Sequence, residues 1–265
     1  MKLLGAIFRA LWMVAIVTIP SLLLASSSQG ALEFALIIGA IVGLFTVFEY
    51  GSESPGFVDF RFAPPYNRFR AFTLAIQITA ITLVCRAVEL SIIDAPVLEW
   101  AQQSAVWLDF RFSPVSEAID LLLDRSTLTD TSAVLLIYTA SVSFAVGFGL
   151  TAVFSTLLWI FTWPTDRANF NLWTNLPMFQ PSEGMAVPKR LKRDALVNFV
   201  MAIGLIYALP YALIYTTDLL EADLFASNQA MVWATTLWVF VPSTLFARSA
   251  AMWKIARIIS RAYAH

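Results

Sequence analysis

Ionisable side chains inside an apolar run are costly and therefore informative, and this chain places Arg86 and Glu89 together in one such run. Their separation of three residues puts both on one helix face, which Thr79 and Thr82 share. Such a stripe lines a solute path or pairs with another helix. The alternative is a structural pair, with the Arg86 guanidinium reaching the nearby interface beside Glu89. A second pattern is Tyr207, Tyr211 and Tyr215, spaced by four, with Pro210 among them. Proline removes a backbone hydrogen bond and kinks a helix. The tyrosines therefore read either as a cavity face or as packing and interfacial groups.

Redox, pigment and metal chemistry find little to build on. Cys85 is the only cysteine, and His265, the only histidine, is the last residue. Neither a thiolate cluster nor an imidazole ligand within the apolar runs is available. The sequence carries no nucleophile elbow, Walker loop or GxGxxG turn. No catalytic residue, cofactor or metal site is expected, and no nucleic-acid partner.

The elements that position these residues follow from composition. Hydrophobic residues make up 59% of the chain and charged residues 13%, with a mean hydropathy of +0.73. Soluble proteins average about 25% charged residues, so lipid is the expected solvent. Crossing a bilayer takes about 20 apolar residues. Runs of that kind fall at 3–25, 31–48, 71–93, 132–161, 195–217 and 230–246. The expected fold is a single all-α integral membrane domain over 1–265, with six transmembrane helices and interfacial amphipathic helices.

Lys and Arg mark the side each loop occupies. With the N-terminus inside, only Arg111 and Arg125 lie outside, and both termini are cytoplasmic in an inner membrane. A rival reading makes the first run a cleavable signal peptide. Arg9 and the length of the run favour a retained anchor. The outside segment, 94–130, is acidic and carries a surface helix with Val115, Ile119, Leu122 and Leu123 against Glu117, Asp120 and Asp124. On the inside, Lys189, Arg190, Lys192 and Arg193, together with Lys254, Arg257 and Arg261 of an amphipathic tail over 248–265, suit anionic lipid headgroups or a docking subunit. The loop 169–181, with Phe170, Trp173, Met178 and Phe179, has the look of an interfacial lid or partner contact.

Small residues recur every four positions at Ala31, Ala35, Gly39 and Gly43, and again in Ser143 with Gly147 and Ala145 with Gly149. Such faces predict close helix packing, within the chain or with another. Residues 57–64 also echo 107–114, on opposite sides of the membrane, as an inverted repeat of a transporter would. The helices that follow differ in kind, so both copies also read as amphipathic elbows. Two functional classes result. One is a non-catalytic accessory, assembly or structural subunit with protein partners in the membrane. The other is a small transporter or channel using the Arg86/Glu89 stripe and the tyrosine face. A membrane-bound lipid enzyme is a third and weaker reading.

Overall fold

The computed structural model describes residues 2–53, 56–125, 129–164, 170–179, 184, 186–220, 225 and 227–263. Among these, helices form α1 (Lys2–Leu23), α2 (Gln29–Gly51), α3 (Tyr66–Glu89), α4 (Pro96–Leu108), α5 (Pro114–Arg125), α6 (Asp130–Ile160), α7 (Leu172–Asn175), α8 (Ala186–Leu220) and α9 (Asn228–Ala262). The six expected spans are present as α1, α2, α3, α6, α8 and α9, each long and apolar enough to cross a membrane. The chain is a multi-pass, all-helical membrane protein.

Helix starts are written in short polar side chains. Ser28, Thr129 and Ser227 each accept a hydrogen bond from a backbone N–H of the first turn of α2, α6 and α9, and Asn171 does so twice for α7. Pro96 begins α4, where its missing N–H costs nothing.

Three helices form the centre. About half of the apolar windows of α3, α6 and α9 is buried, against 17% for α2 and 22% for α8. α2 packs on α1 as a hairpin, and α8 packs along α9. Near the ends of the spans that carry Glu89 and Asn228, α4 lies against α6 and α3, while α5 packs on α8 and α6. α5 buries Val115, Ile119 and Leu122 and exposes Glu117, Asp120 and Asp124. We call this the acidic end and the opposite one the basic end.

Several boundaries differ from those read off hydropathy, for one reason. A charged residue ends an apolar run without ending a helix, because backbone hydrogen bonds need only helical φ and ψ. Thus α3 starts at Tyr66 and runs through Arg68 and Arg70, and α8 starts at Ala186 and includes Lys189 to Arg193. The basic tail is no separate surface helix. It continues the last span as part of a 35-residue helix, in which Pro242 is accommodated.

Gly39 and Gly43 turn toward Val14 and Ala10 of α1, so the small-residue face of α2 is used inside the chain. Gly147 meets α9, where an added Cβ would lie 2.6 Å from Val239 Cγ1. Gly149 is exposed with nothing near it, so it is not a packing glycine. Gly147→Ala should therefore cost about 1–3 kcal/mol through overpacking, recovered in large part by Val239→Ala, whereas Gly149→Ala should be near neutral. Thermal unfolding of the three variants in detergent checks this, and an equal response of the two glycines would contradict it.

Candidate functional site

Glu89 ends α3 at the acidic end, and its carboxylate faces the α1–α2 turn and the start of α9. It accepts hydrogen bonds from the Ala25 N–H at 2.7 Å, from the Ser26 hydroxyl, and from Asn228 Nδ2 at 2.6 Å. Arg86 points to the end of α1 and donates to the Leu23 carbonyl. No ion pair joins Arg86 to Glu89 among the described residues. Of the rest of that stripe, Thr82 is buried and donates to the Ile78 carbonyl of its own helix, and Thr79 is half-buried. The four residues form no common site. Arg86 and Glu89 instead join the α1–α2 turn to α3 and α9, a use of charge near a helix terminus that favours structure.

The tyrosine face is likewise turned away from the interior. Tyr207, Tyr211 and Tyr215 are exposed, and Tyr207 reaches only the Phe112 carbonyl, at 3.4 Å. Pro210 is buried. The three rings lie on the outer surface of α8, so they wall no cavity.

The basic residues divide. Lys189, Lys192, Arg193, Arg257 and Arg261 are exposed and Arg190 is half-buried, with Arg193 near Asp194 at 3.2 Å. Lys254 is buried instead. Its ammonium donates to the Leu158 and Phe161 carbonyls at the end of α6, which removes it from the set facing headgroups. The reason is helical register: continuing α9 beyond the span turns position 254 onto α6.

The buried polar centre of the molecule lies elsewhere, on residues that hydropathy passes over. Gln77 of α3 donates from Nε2 to Ser143 Oγ at 2.6 Å and to the Thr236 carbonyl at 3.3 Å. Ser143 of α6 donates to the Thr235 carbonyl at 2.7 Å. The three central helices are thereby tied at mid-span, and Gly147, whose missing Cβ leaves room for Val239, lies beside the Gln77 amide. Gln77 is uncharged and the only amide side chain in its run, so only its polarity could have signalled it. The same α3 face continues through Thr73 to Arg70 at the basic end. Thr73 Oγ1, Gln77 Oε1, Thr236 Oγ1 and Arg70 Nε are buried without a hydrogen-bond partner among the described residues. A crevice of about 10 Å³ beside Arg70, Thr73, Thr151 and Ser243 admits about one water molecule.

Above this crevice Arg248 pairs with Asp59, Nε to Oδ2 at 2.7 Å. The N–H does not point along that line, and Asp59 Oδ1 is buried and unbonded, so the contact is one of charge more than of hydrogen bonding. Asn198 accepts from Arg248 at 3.3 Å. The 170–179 segment closes this end by packing inward. Asn175 accepts from the Phe62 N–H through its side chain and from the Phe60 N–H through its carbonyl, and Phe179 is buried against Trp173. Of the aromatic loop read from sequence, Asn169, Gln180 and Pro181 lie outside the described residues. The two echoing stretches share an i to i+3 turn, Phe60 to Ala63 and Phe110 to Ser113. Phe60 is buried, however, and Phe110 is exposed.

Comparison with family models, curated proteins and solved structures gave no match. Among the described residues no group of His, Cys, Asp and Glu is placed to hold a metal ion.

Glu89→Ala would leave three donors without their shared acceptor, and a loss of about 1–3 kcal/mol is expected, with Glu89→Gln intermediate. Thermal unfolding in detergent measures it, and a neutral Glu89→Ala would refute the latch. A second expectation concerns pH. Burial pushes the Asp59 carboxyl above its usual range, and the opposing pull of Arg248 and Arg70 does not cancel it. The folded chain thus keeps a proton that the unfolded chain releases first. The contribution of Asp59 is most favourable below the ordinary carboxylate range and is lost as the pH rises through the folded-state value. Unfolding temperature followed against pH should show that decline in the wild type and less of it in Asp59→Asn; parallel profiles would rule the effect out.

Proposed function

We propose that this protein is a non-catalytic scaffold subunit of a larger inner-membrane complex, with both termini on the cytoplasmic side. The observation that carries this reading is the asymmetry of α2. Its small-residue face is consumed by α1, while Phe34, Ile37, Ile41, Phe45 and Phe48 are exposed, and among the described helices only α1 packs extensively on α2. A helix held by one neighbour and presenting a broad aromatic and aliphatic face is suited to receive a partner helix, since association in lipid depends on packing. The polar side chains of the spans support the same reading, because Arg86, Glu89, Gln77, Ser143 and Lys254 are engaged in fastening helices together. The sorting of basic residues supports the orientation.

A transporter reading draws on one feature, the crevice beside Arg70 and Thr73, on the α3 face that also carries Gln77. Its small volume favours the scaffold.

Single cysteines at Phe45 on α2 and at Val200 on α8, both outward-facing, separate a docking face from plain lipid contact. Native Cys85 is buried and should stay silent. Cross-linking in native membranes is expected to join a defined partner to the α2 position and not to the α8 position. Extraction as a lone monomer in mild detergent, with no adduct at α2, would sink the proposal.

A further inference from the structure

A groove of about 500 Å³ opens on another face of the molecule, between α6, α8 and α9. Its rims are rings, Phe148, Phe199, Phe246, Trp159 and Trp253, and its floor is small, with Thr151, Ser155, Ser249 and Ala250. Along α6 it extends from Phe148 to Trp159, a rise of about 16 Å at the helical repeat. An α-helix is about 10 Å across with its side chains, whereas a single extended acyl chain is slimmer and suits a groove of this length and volume. Its lining is almost wholly carbon, which excludes a polar solute.

The chemistry changes at the basic end. Trp159 and Trp253 lie there, the ring type favoured at a membrane interface. The Arg257 guanidinium sits over the Trp159 ring at 5.5 Å, is exposed, and has no ion-pair partner among the described residues. Arg257 follows Trp253 by four positions and Ala250 by seven, so it continues the groove-facing stripe of α9. On α8 the exposed Lys192 precedes Phe199 by seven and continues the second wall in the same way.

We propose that this groove is a binding site for one anionic phospholipid, with an acyl chain laid along α6 and the phosphate taken by Arg257 and Lys192. An aliphatic chain meets the rings and the small floor, and the cations meet the charge where the chain leaves the groove. The site shares no helix with the α2 face and does not depend on the scaffold reading.

Native mass spectrometry of the full chain, released from detergent containing equal amounts of phosphatidylglycerol and phosphatidylcholine of the same acyl length, tests this. The wild type is expected to retain one phosphatidylglycerol in preference to phosphatidylcholine by about tenfold. The double variant Arg257→Gln, Lys192→Gln changes only exposed side chains and should lose that preference. Ala250→Phe, which fills the floor, should lose retained lipid of both kinds. Equal retention of the two lipids by the wild type, or an unchanged preference in the charge-neutralised variant, would overturn the proposal even if Ala250→Phe failed to fold.

Discussion

The last carbonyls of an α-helix have no partner within that helix, and in a low-dielectric setting they must find one elsewhere. Among the described residues three basic side chains are seen to supply it, each from a different segment. Arg86 reaches the end of α1, Lys254 the end of α6, and Arg61 the end of α2, where it donates to the carbonyls of Tyr50 and Ser52 at 2.9 and 2.6 Å. The cation also meets the negative pole of the helix it caps. These contacts fix where neighbouring spans stop relative to one another. The rest of the bundle, including the mid-span tie through Gln77, is built between those fixed ends.

Hydropathy made the six spans legible because the cost of exposing a charge to lipid is written directly into the sequence, in long runs that hold few Asp, Glu, Lys or Arg residues. The same signal misled wherever charge and helix coexist. Arg68, Arg70, Lys189 and Arg248 lie inside helices that hydropathy cut short. Site residues were less legible for a different reason. Arg86 and Glu89 were recognisable as unusual and Lys254 read as one more tail cation, yet their partners are a backbone carbonyl or a residue far along the chain, such as Asn228 for Glu89. Spacing along one helix reports which side chains share a face and is silent on what that face meets. Gln77 shows the converse, since an isolated amide draws no attention until its partners on α6 and α9 are visible.

The two hairpins divide the labour of packing. α1 and α2 meet through glycine and alanine, so their backbones approach closely and the larger side chains of α2 are left outward. α8 and α9 instead meet over a length beyond the bilayer, with Asn198, Ser249 and Met252 at the contact; the Ser249 hydroxyl donates to the Ala195 carbonyl at 2.7 Å. Trp238 adds a bond from its indole N–H to the Ile206 carbonyl at 2.7 Å. Close backbones give van der Waals density, whereas side-chain bonds to carbonyls give register.

The mid-span tie has a consequence for biogenesis. Gln77, Ser143 and Thr235 belong to spans made early, midway and last during synthesis, and the bonds among them cross most of the chain. Until α9 enters the bilayer, the carbonyls that accept from Gln77 and Ser143 are not yet in place. A nascent chain that halts before α9 therefore displays polar groups to hydrocarbon, the kind of mark by which a quality-control protease distinguishes an unfinished polypeptide from a finished one.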